Sequence, residues 1–311
     1  MKIIFLNKYQ NKISRGAETF VYELSKRLSK NHEVIVLSSI NYVNLFKKDF
    51  DIIVPTNGRF QVIATRLISW LKGAKMIVSG QSGIGWDDKV NLLSFPDCFC
   101  ALSTKQATWA KKFNPFIKVI KIPNGVDLER FTKDGKGLDT KLVKPIILAV
   151  GAFTIQKQMD LAIKAVSRFK SASLLLVGSG GNQKEYLEKM GRTMLGDRFS
   201  MMSVPFEEMP KVYRTADLFT LPSSASESFG NVIVEAMAAN LPVVARNDDV
   251  RREIIGGAGV LVDPENIEKY SEALDGALNK KWGNAPRQQA EKFGWDGIAQ
   301  KYEEVIKSIT K

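Results

Sequence analysis

Short apolar runs rich in Val, Ile and Leu alternate with segments whose apolar residues fall at helical spacing, and this alternation runs through the chain twice. A strand that is apolar without a period of two must be covered on both faces, and helices between such strands supply the cover. The pattern therefore predicts the α/β class with parallel sheets. The first series opens with a strand over 2–7, a loop over 8–16 and a helix over 18–29, where Phe20, Val21, Leu24 and Leu28 share one face. Further strands are expected at 32–37, 51–54, 75–78, 98–102 and 119–122, and helices at 61–71 and 104–112. Pro123-Asn124-Gly125 breaks the pattern, and 131–144, rich in Lys, Asp and Gly, reads as a linker. The same grammar then restarts. Strands fall at 145–151, 174–177, 199–203, 218–221, 242–245 and 259–262, and helices at 161–169, 186–194, 209–216, 231–239, 267–279 and 295–309. Two doubly wound domains in series follow, which suits 311 residues. Such sheets bind ligands outside the carboxyl ends of their strands, so the expected site is a cleft between the domains.

Residue usage narrows the chemistry. One His and two Cys cannot build a multi-ligand zinc site, and a Ser-His-Asp triad would have to recruit His32. Cys98 and Cys100 alternate with apolar neighbours and read as core thiols of a strand, which fits a reducing cytoplasm. Met1-Lys2 is followed by only four apolar residues, so no leader peptide is expected, and no apolar run approaches the length of a membrane span. The net charge of +12 is one-sided: residues 1–145 carry 24 Lys/Arg against 12 Asp/Glu, and the remainder is balanced at 21 against 21. A basic first domain suits an anionic membrane surface, an acidic substrate or nucleic acid, though a generally basic proteome would produce the same bias.

The most informative stretch is 221–245. A polar loop, Pro222-Ser223-Ser224-Ala225-Ser226-Glu227-Ser228-Phe229-Gly230, is followed by a helix that is apolar all round except for Asn231 and Glu235. Such a helix is buried, so Glu235 needs partners: either a ligand's hydroxyl groups or a distant base or amide in the core. Gly230 and the first turn offer backbone N–H groups and the positive end of the helix dipole, a setting suited to phosphate. Phosphate at the helix start, with Glu227 before it and Glu235 after it, fits a phosphorylated sugar or a nucleotide.

Glu227-Ser228-Phe229-Gly230-Asn231-Val232-Ile233-Val234-Glu235-Ala236-Met237-Ala238 resembles the E-x7-E signature of retaining GT-B glycosyltransferases of family 4. Ile122-Pro123-Asn124-Gly125-Val126-Asp127 with Phe131, Val150-Gly151 with Lys157, Leu176-Val177-Gly178-Ser179-Gly180, Arg15-Gly16-Ala17-Glu18 and Leu241-Pro242-Val243-Val244-Ala245 resemble that family's other segments, so the resemblance spans nearly the whole chain. It implies two Rossmann-like domains facing a central cleft: an acceptor domain over 1–140, a nucleotide-sugar domain over 141–294, and a final helix over 295–311 crossing back to the first domain. It also implies roles. Lys157 contacts the donor diphosphate, to which Gly230, Asn231 and Val232 offer amides. Glu235 holds the ribose hydroxyls and Glu227 those of the transferred sugar, making Glu227 and Lys157 the catalytic pair. Gly151, Gly178, Ser179, Ser228 and Phe229 line the donor, and Val204, within Ser203-Val204-Pro205, lies where the base is held. Gly16 admits backbone approach on the other side, with Arg15 and Gln81 facing the acceptor. The family needs no metal or other cofactor.

This sequence departs from the family at three points. Ala152 stands where Arg usually follows the strand-end glycine, leaving Arg15 or Arg246 to replace it, and Gln158 stands where a glycine usually follows the lysine. Gln81, in Ser79-Gly80-Gln81, stands where many members carry a His, and it cannot shuttle a proton. His32 reads as a structural turn residue. The basic, apolar segment 59–72 suits either a lipid surface or a packed helix with Arg59, Arg66 and Lys72 in water. Trp109-Ala110-Lys111-Lys112-Phe113 is a second basic-aromatic cluster. The expectation is a retaining hexosyltransferase at the cytoplasmic face of the membrane, using a UDP- or GDP-sugar and a lipid-linked or glycan acceptor, with peripheral contact to anionic lipid and no nucleic-acid partner. The alternatives are a non-catalytic GT-B subunit binding a partner or glycan, and an epimerase on the same fold.

Overall fold

A computed structural model describes residues 1–10 and 16–310. It comprises two compact units: residues 1–125 with 295–311, and residues 126–294.

In unit 1, strands β1 (Lys2–Leu6), β2 (Glu33–Leu37), β3 (Ile52–Pro55), β4 (Lys75–Ser79), β5 (Cys98–Ala101) and β6 (Val119–Lys121) form one parallel sheet in the order β2-β1-β3-β4-β5-β6. Its central strands are buried from their second residue on, and β3 and β5 throughout, as apolar runs without alternation require. Helices α1 (Gly16–Leu28), α2 (Tyr42–Lys47), α3 (Arg59–Lys72), α4 (Trp86–Leu93) and α5 (Thr104–Phe113) cover it. Both thiols lie in β5 and are buried.

Unit 2 repeats the plan. Strands β7 (Ile146–Val150), β8 (Ser173–Val177), β9 (Phe199–Met202), β10 (Leu218–Leu221), β11 (Val243–Arg246) and β12 (Gly259–Val262) order as β12-β11-β10-β7-β8-β9. Around them run α6 (Met159–Ser167), α7 (Lys184–Leu195), α8 (Met209–Thr215), α9 (Asn231–Ala238), α10 (Asp249–Ile255), α11 (Ile267–Asn279) and α12 (Ala285–Glu291). The last helix, α13 (Trp295–Thr310), belongs to unit 1, where Trp295, Ile298 and Tyr302 join the core beside Phe20. His32 is structural: its Nε2 meets the Glu303 carboxylate of α13 at 2.9 Å.

Two features differ from the sequence reading. The units part at Val126 rather than near residue 140, because 126–131 is tied to unit 2. Val126 N–H donates to the Phe293 carbonyl at 2.8 Å, and Arg287 donates to the Leu128 and Phe131 carbonyls at 3.0 and 2.9 Å. The supposed linker 131–144 is accordingly a strap along unit 2, where Leu138 N–H donates to Thr215 Oγ1 at 2.7 Å. The short helices α2, α4, α10 and α12 were also missed, since two turns of helix show little periodicity.

Candidate active site

In unit 2 the chain order reverses between β7 and β10, which lie side by side, and the loops leaving these two strands part there. This is the switch point at which doubly wound sheets bind ligands. After β7 comes Gly151, and after β8 comes Gly178. A Cβ on Gly178 would run into the Gly151 carbonyl oxygen, so only glycine lets these two strand ends approach. A single 3-10 turn then places Lys157 at its end. After β10 the 222–230 loop is pinned to that turn, with Ser224 N–H donating to the Gln156 carbonyl at 2.9 Å.

Lys157 and Glu227 form an ion pair, and each side chain keeps about a fifth of its surface exposed (21% and 20%). The loop ends at Gly230, whose φ of 88° and ψ of 63° lie in the left-handed region that glycine enters without strain. Asn231 and Val232 start α9, half-buried, and Gly230 at the cap position has no side chain to donate to or accept from the helix start. The turn thus presents the positive end of the dipole beside the lysine. Phe229 is buried and its ring meets Phe293 edge-on at 6.0 Å, so its side chain belongs to the core and only its backbone serves the loop. Ser228 is half-buried, Ser179 exposed and Val204 half-buried after β9.

One turn along α9, Glu235 is closely surrounded yet keeps part of its side chain open. Tyr213 Oη donates to Glu235 Oε2 at 2.6 Å. Burial pushes this carboxyl above the ordinary carboxylate range, while Tyr213 and the charge of Arg130 pull it back. Arg130 donates to the Phe206 carbonyl at 2.6 Å and lies 4.0 Å over the Phe206 ring. The core donor to Glu235 is thus a phenol, which the sequence reading did not foresee, and part of the carboxylate remains accessible. An ionised carboxylate accepts two hydroxyl groups, so a ligand that uses Glu235 in that way binds better as pH rises through its raised pKa. Tyr213→Phe removes a bond that favours the ionised form. The pH of half-maximal ligand affinity should move upward in that variant, measured by calorimetric titration across pH; an unchanged midpoint would show that Tyr213 does not tune Glu235.

Arg251, fully buried in α10, braces the loop from beneath. It pairs with Asp248 at 2.8 Å and donates to the Ser224 carbonyl at 3.1 Å, Ser223 Oγ at 3.2 Å and the Glu227 carbonyl at 3.5 Å. Burial lowers its pKa, and Asp248 and Glu227 oppose that shift. Sequence reasoning passed over Arg251, Tyr213 and Arg130, although Asp248 ahead of Val250 carried a helix-cap signal: it accepts from the Val250 and Arg251 amides at 3.0 Å. Arg246 is already engaged. It donates to the Ser223 carbonyl at 3.0 Å and to Gln158 Oε1 at 2.8 Å, and it pairs with Glu265 at 3.0 Å. Gln158 adopts φ 49° and ψ 36°, the left-handed conformation that explains a glycine in the family pattern.

In unit 1, Gly16 is exposed at the start of α1, and Arg15 lies outside the described residues. Gln81 follows β4 and exchanges hydrogen bonds with the Asn124 amide at 2.7 and 3.0 Å, while donating to Ser79 Oγ at 2.9 Å. At this unit's own switch point, between β1 and β3, Lys8, Tyr9, Ser38, Asn57, Arg59 and Phe60 line an open depression that the sequence reading missed. Among the described residues, no group of three His, Cys, Asp or Glu side chains gathers to hold a metal ion.

Residues 131–294, over half of the chain and nearly the whole of unit 2, match the model of the family described as glycosyl transferases group 1. The chain belongs to this family. The group 1 match contains Lys157, Tyr213, Glu227, Glu235 and Arg251. A glycosyltransferase of Methanocaldococcus jannaschii, itself uncharacterised, is 34% identical over 177 residues, covering 52% of this chain and 44% of the relative. A phosphatidyl-myo-inositol mannosyltransferase of Mycobacterium tuberculosis is 28% identical over 207 residues, covering 61% and 54%. The chain thus spans about half the length of the curated relatives it matches. The crystal structure of Anabaena HepE in complex with UDP superposes with a TM-score of 0.81 at 18% identity, covering 99% of this chain and 100% of that one. The fold is GT-B, as the family resemblance carried by the E-x7-E segment implied.

Proposed function

We propose that this group 1 protein is a retaining, metal-independent glycosyltransferase that moves a hexose from a UDP- or GDP-linked sugar onto a lipid-linked or glycan acceptor. The observation that carries the reading is the Lys157–Glu227 pair beside the glycine-started helix α9, with Glu235 one turn further on. A donor diphosphate would take Lys157 from Glu227 and lie against the α9 amides, and the freed Glu227 would accept hydroxyl groups of the transferred sugar. Glu235 would hold the ribose. The sugar C1–O bond breaks with its electron pair passing to the diphosphate, where Lys157 and the helix dipole stabilise the growing charge. The acceptor hydroxyl bonds to C1 on the same face, and its proton passes to the departing phosphate oxygen. Positive charge is supplied by the protein itself, which is the basis for reading the reaction as independent of metal. The UDP in HepE and the lipid acceptor named for the mycobacterial relative support the donor and acceptor classes.

A second reading, a non-catalytic subunit, draws on Ala152, which supplies no cation, and on Arg246, which is already engaged. Titration of the protein with UDP-, GDP- and ADP-sugars in EDTA, alongside Glu235→Ala, separates the two. Binding of one donor, weakened about tenfold or more in the variant and followed by slow donor hydrolysis, is the expected result. Absence of binding across the panel would favour the second reading.

A further inference from the structure

Helix α3 buries polar residues and exposes large apolar ones. Its core-facing side carries Val62 and Ile68 together with Gln61, Thr65, Arg66 and Ser69, with Thr65 and Ser69 wholly buried. Three of them find partners nearby: Gln61 Oε1 accepts from the Asn57 amide at 2.8 Å, Arg66 pairs with Asp97 at 2.6 Å, and Ser69 Oγ donates to the Arg66 carbonyl at 2.9 Å, while Thr65 Oγ1 and Arg66 Nε lack a partner among the described residues. The outward side carries Phe60, Ile63, Leu67, Trp70 and Leu71, which remain 71%, 48%, 55%, 58% and 76% exposed. The sequence expectation that Arg66 stands in water is thereby corrected. Burying its guanidinium against Asp97 rotates the large apolar residues outward. On the neighbouring α2, Val43 and Phe46 extend the apolar surface. A single exposed leucine means nothing, but five large apolar residues at helical spacing on one face form a contact surface.

Basic groups border this surface. Lys47 and Lys48 are exposed at the end of α2, and Arg59 starts α3. Lys72 ends α3, with its Nζ on the Phe46 carbonyl at 3.0 Å and 5.4 Å from the Phe46 ring centre. That is the posture of a lysine whose stem lies along apolar surface while its charge stays at the edge. Acids lie at the same edge: Glu33, Asp49 and Asp51 share a depression with Phe46, Leu71 and Lys72, and Asp87 pairs with Arg59 at 2.5 Å. Unit 1 as a whole carries 22 Lys/Arg against 11 Asp/Glu, a net +11, whereas unit 2 has 23 against 22. An apolar stripe with Trp at one end and a basic border is complementary to one partner above others: a bilayer with anionic headgroups. Among the described residues no helix is long and apolar enough to cross a membrane, so the fit is to lying on the surface.

We infer that the outward face of α3, with the end of α2, docks unit 1 on an anionic lipid surface. The inference deepens the acceptor side of the proposed function and rests on that reading for its purpose. Its geometry, however, lies wholly in unit 1, and Arg59 and Phe60, which begin the helix, also line the depression at the β1/β3 switch point. A lipid-anchored acceptor lying in the docked bilayer would therefore be held beside that depression.

The test is flotation of the full chain with vesicles of phosphatidylcholine alone and of phosphatidylcholine mixed with phosphatidylglycerol. Binding is expected only to the mixed vesicles. The double variant Leu67→Ser/Trp70→Ser should lose about 100-fold in partitioning. Lys47→Glu/Lys48→Glu should lose about tenfold, with the difference vanishing in high salt. All four side chains are exposed, so both variants should keep the parent melting temperature and donor affinity. No wild-type binding to mixed vesicles, or equal binding by the variants, would overturn the inference. So would a dimer in sedimentation velocity that the Leu67/Trp70 variant abolishes without any vesicle binding, since a second copy would then cover the face. Vesicle binding that follows the variants while no lipid accepts sugar would leave the docking surface standing and remove the acceptor class.

Discussion

Replacing Glu227 by Ala will lower transfer (kcat/KM for donor) by about 100- to 1000-fold, and Lys157→Ala will do the same. Both side chains are partly solvated, so removing either leaves a hydrated partner rather than a buried orphan charge, and the folded state loses at most about 1 kcal/mol. The effect on the reaction is larger because both groups act where charge develops. In the proposed reaction Lys157 would face the departing diphosphate, and Glu227 would orient the sugar whose C1 is attacked. Two residues that act on one transition state are not additive, so the double variant should be little worse than either single one. Steady-state kinetics with the donor identified by titration, together with thermal melts, decide the matter. Transfer within twofold of the parent in Glu227→Ala would remove the catalytic role of the pair.

Arg251→Met will cost about 3–5 kcal/mol of stability in unit 2, because it strips a wholly buried guanidinium from the half-buried Asp248 carboxylate and from the loop that carries Glu227. Asp248 keeps its two helix-cap bonds but loses its counter-charge, while Ser223 Oγ and the Ser224 carbonyl lose their common donor. Methionine fills much of the volume, so the loss reports on polar partners rather than on a cavity. A fall of about 10 °C in the melting transition is expected, with weaker donor binding because the 222–230 loop is no longer braced. Arg251→Lys should recover only part of both, since one ammonium cannot serve divergent acceptors in the plane of a guanidinium. A melting temperature within a degree of the parent would show that the loop holds itself.

What could be read from the chain was local. The alternation of buried strands with helices depends on residues within a dozen positions of one another, and it placed the strands and most of the longer helices within a few residues. The 221–245 segment was legible for the same reason. Gly230, Asn231, Glu227 and Glu235 lie in one short stretch, and a polar loop, a helix start with free amides and a carboxylate on a buried helix can each be argued from neighbours in sequence. Short helices such as α2 and α10 escaped because two turns carry too little period to show.

Everything that depended on distant partners was decided by tertiary structure. Tyr213 reaches Glu235 across 22 positions, and Arg246 reaches Gln158 across 88. No composition or spacing announces such pairs, because the energy that selects them is the cost of leaving a particular polar atom unpaired in a particular packed environment. The orientation of α3 is the clearest case. The sequence placed a helix over 61–71 within an apolar segment with basic ends, and left open whether it lies on lipid or packs on the domain. Which side faces the sheet was settled by Asp97, 31 positions away from Arg66, and by Gln61, which caps the strand-end amides of Thr56 and Asn57. Periodicity specifies that a helix has two faces; only the partners available on the sheet determine which face is buried.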